Sequence, residues 1–277
     1  MPRHTLTRSL FVLMILIFVP VWGRSVQNQQ EARREALRKN AWGILWAGTQ
    51  SRDSRKRSKA VEALGFLRAS PEVVHLAENK LQDPKPEVRA AAANALGEMH
   101  SSASIPQLEK ALSDNDLSVG LAAARALLRM KQNAGYSVYY AVLTGQRKSG
   151  QGLIAQQLDQ LDNPRKFAEF AFDQGIGFLP YAGYCLEVMD ALKKKDNSPL
   201  RAAAAGVLAN DPDPRSGKAL AAACSDKNWM VRLAALSAIA LRGDPSLLPA
   251  ATHALQDNVD VVRYTAAAVV LRLSQSA

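Results

Sequence analysis

The chain repeats one pattern at a spacing of 31 residues, and this periodicity limits the fold more than any other feature of the sequence. The pattern reads DPKPEVRAAAANALG at its first clear copy, and the clear copies begin at Asp83, Asp114, Asp226 and Asp257. Weaker copies begin at Arg57 and Leu200. Recurrence at such a period is typical of stacked supersecondary units that bury their apolar faces against their neighbours. The sequence therefore predicts a repeat array.

Apolar residues within each copy follow the period of an α-helix. At steps of i, i+4, i+7, i+8 and i+11, the first clear copy carries Val88, Ala92, Ala95, Leu96 and Met99. This spacing places them on one face of a helix. The alignment of the copies predicts that Ala92, Ala123 and Ala266 are buried where neighbouring repeats meet. The aspartate that opens each copy is expected to accept hydrogen bonds from backbone N–H groups at the helix start.

A second apolar stretch separates successive copies and contains a proline near its start. Two examples are SIPQLEKALSD, residues 104–114, and DPSLLPAATHALQD, residues 244–257. Proline fits the first turn of a helix, because the backbone N–H that it lacks has no intrahelical partner there. One repeat is thus predicted to be a helical hairpin, and the chain an all-α solenoid of about seven hairpins.

The repeat resembles a known family once its parts are read together. An aspartate, five residues, an arginine, a run of alanines with Ala-Leu-Gly and a proline-led second helix are similar to the HEAT-like repeats first grouped with phycobilisome lyases. The resemblance runs from about Ser51 to the C-terminus. It implies a right-handed α-solenoid with first helices on the convex wall and second helices on the concave one.

The same resemblance implies a ladder of aspartates and arginines between neighbouring hairpins. Its residues here would be Asp83, Arg89, Asp226, Arg232, Asp257 and Arg263. Gly120 replaces the arginine in the copy that begins at Asp114. We therefore expect the ladder to be interrupted at that copy.

The middle of the chain, about residues 145–197, departs from the repeat period. Nine of the 17 aromatic residues lie between Tyr136 and Tyr184. One interpretation is a recognition site, since aromatic rings supply large contact areas; the other is that rings fill the gap where irregular hairpins meet. For the recognition site, the candidate partner-binding residues are Tyr139, Tyr140, Phe178, Tyr181 and Tyr184.

Residues 1–23 have the pattern of a signal peptide. A basic start leads into the thirteen-residue apolar run Leu10–Trp22, with cleavage expected before Arg24. A retained single-pass anchor is the alternative, because the bases after the run resist translocation. Residues 24–50 are expected to form a basic helix that caps the first repeat, and residues 51–277 the solenoid. The expected location is periplasmic or secreted.

The net charge of +10 is concentrated at the N-terminal end. Twelve of the 35 Lys and Arg and three of the 25 acids precede Ala60, which leaves 23 bases and 22 acids in the rest. This balance gives no reason to expect nucleic acid along the solenoid. The run RDSRKRSK, residues 52–59, keeps one alternative open, in which the N-terminal segment binds a polyanion, a nucleic acid or an acidic membrane surface.

Motifs for reaction chemistry are absent from the sequence. It contains no GxSxG, HExxH, GxxxxGK[ST] or GxGxxG. HEAT-like metal hydroxylases bind iron through His-Glu pairs, and this sequence has no His-Glu dipeptide. We therefore expect no catalytic residue, metal or cofactor. Whether Cys185 and Cys224 pair stays open.

The predicted function is that of an exported, non-catalytic scaffold that binds a protein or peptide along its concave surface. Pre-ordered hairpins would present many small contacts without a large entropic cost of ordering on association. The alternative is a phycobilin-lyase-like enzyme that acts on a chromophore or small molecule, with the aromatic block as its pocket.

Overall fold

The computed structural model describes residues 6–138 and 198–274, with side chains from Gln27 onward except at positions 199, 200 and 203. Every regular element in these ranges is a helix. This confirms the predicted all-α solenoid of helical hairpins. The chain divides into two compact units, Met1–Asn40 and Ala41–Ala277. The insertion expected at residues 145–197 lies outside the described residues.

One long helix, α1 (Leu6–Thr49), runs through both segments that the sequence assigns to a signal peptide and a cap. Its side chains from 27 to 40 are exposed, apart from the partly buried Leu37. Burial starts at the boundary of the second unit, where Ala41 and Leu45 are completely buried. In the part of the chain whose side chains the structure describes, no helix is long and apolar enough to cross a membrane.

The remaining helices alternate between two kinds. The helices that carry the repeated pattern, here called pattern helices, are α2 (Ser54–Ala63), α4 (Pro86–Glu98), α6 (Leu117–Arg129), α7 (Ser198–Leu208), α9 (Trp229–Arg242) and α11 (Asp260–Ser274). The connecting helices between them are α3 (Pro71–Lys80), α5 (Ile105–Ala111), α8 (Pro214–Ala223) and α10 (Leu248–His253). As expected from the sequence, the connecting helices have a proline in their first turn.

The core lies where successive pattern helices pack against one another. Ala92, Ala123 and Ala266 are each 0% exposed, which confirms the predicted alignment of the copies. The helices approach closely because small residues face each other. At Gly97 of α4, an added Cβ would lie 2.7 Å from the Cβ of Ala126 in α6 and 2.8 Å from its Cα. No side chain larger than hydrogen fits there without moving a helix.

Three pattern helices end in a residue with left-handed backbone. His100, Lys131 and Gly243 follow α4, α6 and α9 at the same position of the repeat, with φ of 51°, 60° and 66°. This conformation closes the last helical turn, since Gly243 N–H donates to the Ile239 carbonyl at 3.0 Å. Only one of the three copies uses glycine, the residue that adopts this backbone without steric cost.

The last pattern helix packs against the first, so the two ends of the repeat array lie side by side. Arg272 of α11 donates from Nη1 to the carbonyl of Phe66, just after α2, at 2.9 Å. Lys56 Nζ of α2 lies 3.9 Å from Asp260 Oδ2. An added Cβ at Gly48 would lie 2.7 Å from Cε1 of Tyr264. The terminal repeats therefore cover each other's apolar faces.

Candidate functional site

A ladder of arginine–aspartate pairs joins neighbouring repeats. Arg89 donates from Nε and Nη2 to Oδ2 and Oδ1 of Asp114, both at 2.8 Å. Arg232 donates in the same way to Asp257, at 2.6 and 2.9 Å. The two other pairs that the structure describes are Arg57–Asp83 and Arg201–Asp226. Paired donation to one carboxylate fixes both the distance and the orientation of the two side chains.

Three of the four ladder arginines, Arg57, Arg89 and Arg232, also donate to a backbone carbonyl that precedes their own pattern helix. The third guanidinium nitrogen of Arg89, Nη1, donates to the Asp83 carbonyl at 2.9 Å. Nη1 of Arg232 donates to the Asp226 carbonyl at 2.9 Å. One guanidinium thus connects the backbone before its own pattern helix with the carboxylate that opens the next repeat. Each such pair fixes the position of one repeat relative to the next.

The ladder aspartates stabilise a turn rather than the helix start. Asp83 Oδ1 accepts from the backbone N–H of Lys85 at 3.0 Å, and Lys85 precedes the first residue of α4. In the next repeat, Asp114 accepts from the Asp116 N–H at 2.8 Å, while Asp116 itself caps α6 by accepting from Ser118 N–H. The prediction that the opening aspartate caps the helix is therefore wrong. In this repeat the cap is Asp116, two residues after the opening aspartate. The carboxylate of the opening aspartate organises the preceding loop instead.

Electrostatics favours the ionised form of the ladder. Burial by itself would raise the pKa of Asp83, but hydrogen bonds from Arg57 and the Lys85 N–H outweigh it and lower that pKa below its ordinary value. Burial opposes ionisation of Asp257 as well, and hydrogen bonds from Arg232 and the Val259 N–H again lower its pKa. The hydrogen bond to Asp114 raises the pKa of Arg89. These groups keep their charges at neutral pH.

The family resemblance named six ladder residues, and the structure shows how each is placed. Asp83, Arg89, Asp226, Arg232 and Asp257 all take part in pairs between repeats. Arg263 does not reach another repeat through an aspartate, because it donates to Asp260 in its own helix and to the Asp257 carbonyl. Gly120 has no side chain to donate, and it is buried.

Three partners were missing from the set derived from the resemblance, namely Arg57, Asp114 and Arg201. Each belongs to a copy of the repeated pattern, but the resemblance does not predict its pairing across repeats. The signal that would find them is the distance along the chain: the ladder arginine pairs with the aspartate 25 residues later in three of the four cases, and 26 later in the first.

Part of the basic run at residues 52–59 is engaged in these contacts. Arg57 pairs with Asp83, and Lys56 lies near Asp260. Arg52 and Arg55 are exposed. The run is thus partly a structural element of the first repeat rather than a continuous basic surface.

The residues predicted to bind a partner, Tyr139, Tyr140, Phe178, Tyr181 and Tyr184, lie outside the described residues, as does Cys185. The other cysteine, Cys224, is a free buried thiol, and burial raises its pKa to about 12. Among large apolar side chains, the described surface exposes Trp46, Tyr136, Val207 and Leu241. Within the part of the chain that the structure describes, no three His, Cys, Asp or Glu residues are grouped so as to hold a metal ion.

Comparison with known proteins bears on the repeat. A family model described as HEAT repeats matches residues 43–129, 73–145 and 186–270. No curated protein sequence gives a significant match. Among solved structures, human deoxyhypusine hydroxylase in complex with glycerol is similar at 17% identity and a TM-score of 0.34, over 87% of this chain and 98% of that chain. A similarity of this size carries no inference about activity.

Proposed function

Because this chain belongs to the HEAT-repeat family, we propose that it acts as a non-catalytic scaffold that binds another protein or a peptide. The observation that carries the proposal is the arginine–aspartate ladder. Its four pairs hold neighbouring repeats in one arrangement without a bound partner. A surface ordered in advance loses little conformational entropy on association, which favours binding through many small contacts.

The contact between the two ends of the array supports the same function. With α11 against α2, the apolar faces of the first and last repeats are covered within the chain. The partner therefore binds elsewhere on the array. We place the contact at the aromatic residues Tyr139, Tyr140, Phe178, Tyr181 and Tyr184, because buried aromatic anchors dominate the free energy of protein interfaces.

The test is a crosslinking pull-down from the native envelope fraction, followed by affinity measurement with the captured partner. The Tyr181→Ala variant is expected to weaken binding by about 2 kcal/mol, or roughly thirtyfold, with an unchanged melting temperature. Trp46→Ala is the matched control, since Trp46 is an exposed aromatic residue that belongs to α1. It is expected to leave the affinity unchanged.

Two results would reject the aromatic contact. If Tyr181→Ala lowers the melting temperature strongly and leaves the affinity intact, the ring belongs to the core. If Trp46→Ala weakens binding as much as Tyr181→Ala does, the contact is not specific to the aromatic block. Failure to recover any partner that crosslinks to the wild-type chain would reject the scaffold function itself.

We also propose that the chain is exported, with a mature N-terminus near Arg24 or Ser25 or with its apolar run retained as an anchor. The support is the basic start followed by the apolar run Leu10–Trp22. Cell fractionation with N-terminal sequencing tests this. An intact Met1 in the membrane fraction selects the anchor, and an intact Met1 in the cytosol rejects export.

A further inference from the structure

We propose that residues 33–40 of α1 are a processing site for an endoprotease specific for basic residues. The segment reads RREALRKN and contains the pairs Arg33-Arg34 and Arg38-Lys39. In a chain that retains the apolar run at residues 10–22, cleavage there separates the repeat unit from that run. This proposal is independent of the identity of the binding partner.

The basic pairs lie next to the boundary between the two units. Arg33, Arg34, Arg38 and Lys39 all belong to the first unit, and all four are exposed. Burial begins only two residues after Lys39, at Ala41. A cut after Lys39 therefore removes no side chain that packs in the repeat unit. Exposed segments next to a domain boundary are the preferred sites of proteolytic nicking.

This part of the helix also has low local stability. Its side chains from 27 to 40 are exposed, apart from the partly buried Leu37, so the stretch has little tertiary support. Most of the stability of a helix in a protein comes from packing of its apolar face, which this stretch largely lacks. Local opening of such a segment has a small free energy, whereas opening of α2 must break the buried Arg57–Asp83 pair. The basic pairs in α1 are thus far more often available to a protease.

The chemical step is ordinary peptide hydrolysis. At Lys39–Asn40, water adds across the C–N bond, which leaves a carboxylate on Lys39 and a new amino group on Asn40. The protease supplies the catalytic groups, and no other reactant is required. The product keeps the buried residues Ala41, Leu45 and Thr49 and therefore the whole packed end of α1.

Limited digestion of the full chain with trypsin, followed by mass mapping, tests accessibility. Two helices each contain a pair of adjacent basic residues, so their cleavage can be compared within one molecule. These pairs are Arg38-Lys39 in α1 and Arg55-Lys56 in α2. Cleavage at the first pair is expected to be at least about tenfold faster, because proteolysis follows the population of the locally opened state. Equal rates, or faster cleavage at Arg55-Lys56, would overturn the proposal.

Ala36→Gly provides the matched variant. Ala36 is exposed in the middle of the segment, so glycine lowers helix stability there without touching the core. Cleavage at Arg38-Lys39 is expected to speed up about fivefold, with the melting temperature of the repeat unit unchanged. An unchanged cleavage rate would mean that local helix opening does not control access.

The final test is N-terminal sequencing of the chain isolated from its native source. The processed chain is expected to begin at Arg34, Glu35, Lys39 or Asn40, and to melt at the same temperature as the uncut repeat unit. A native chain that retains residues 24–39 in every fraction would rule out processing. Because signal cleavage near Arg24 gives a different N-terminus, failure of the export proposal is separately visible.

Discussion

The ladder makes one strong prediction about stability, which concerns Arg232 and Asp257. Their side chains are only 13% and 8% exposed, and two hydrogen bonds join them. Asp257→Ala leaves the guanidinium without its carboxylate and removes the acceptor for the Val259 N–H. Loss of one partner of a buried ion pair costs about 3–5 kcal/mol, and loss of a turn acceptor adds about 1 kcal/mol.

A double-mutant cycle separates the pair from its surroundings. Arg232→Met and Asp257→Ala are each expected to be costly, whereas the double variant should cost less than their sum, by about 1–3 kcal/mol of coupling. Urea unfolding measures the free energy, and a constant m-value shows that the unfolding reaction is unchanged. Arg215→Met is the matched control, because Arg215 pairs with Asp213 at 90% side-chain exposure. Its unfolding midpoint should stay at the wild-type value.

A cycle without coupling energy would contradict a ladder that acts between repeats. Additive single variants would mean that Arg232 and Asp257 stabilise their own repeats independently. The ladder would then not transmit order from repeat to repeat. A control variant as destabilised as Asp257→Ala would show instead that any arginine–aspartate pair has this effect, whether buried or exposed.

The remaining predictions concern two glycines, one histidine and two ladder carboxylates. Gly97→Ala should lower the free energy of unfolding by about 1–3 kcal/mol, because the added methyl group meets the backbone of α6. Gly43→Ala should raise it by up to about 1 kcal/mol, because the space around Gly43 is open and alanine favours a helix. Calorimetry measures both changes. His100→Gly should stabilise the chain by about 1 kcal/mol in the same assay, since φ of 51° is strained for histidine. The pKa values of Asp83 and Asp257 are lowered in the folded chain, so both carboxylates stabilise it. This stabilisation is complete above the unfolded carboxyl pKa of about 4 and is lost as the pH falls through the lower folded pKa values. Measuring the free energy of unfolding at a series of acidic pH values tests this.

The periodic sequence by itself determined the local architecture. A helix needs only apolar residues at its own period, capping residues and a terminating turn, and these signals lie within one 31-residue copy. The burial of Ala92, Ala123 and Ala266 followed from the same alignment. The types of residue in the ladder were also readable from the clear copies, which carry the aspartate and, except at Gly120, the arginine at the same position.

Partner choice in the ladder depended on the tertiary structure. An arginine such as Arg89 has aspartates on both sides along the chain, Asp83 and Asp114, and sequence position does not say which carboxylate it meets. Packing of α4 against α6 decides this, because it brings Nε and Nη2 of Arg89 to the Asp114 carboxylate. The third guanidinium nitrogen, Nη1, then donates to the backbone carbonyl of Asp83. The choice is a matter of geometry between helices rather than of local preference.

Closure of the array was decided by tertiary structure alone. Arg272 and Phe66 are 206 residues apart in the chain, and no repeat period relates the contact between them to neighbouring copies. The repeat period describes only how each repeat packs against the next one. An array with touching ends and an array with separated ends can have the same period. Small rotations between successive hairpins accumulate along the array, so their sum, which no single copy encodes, determines whether the last helix reaches the first.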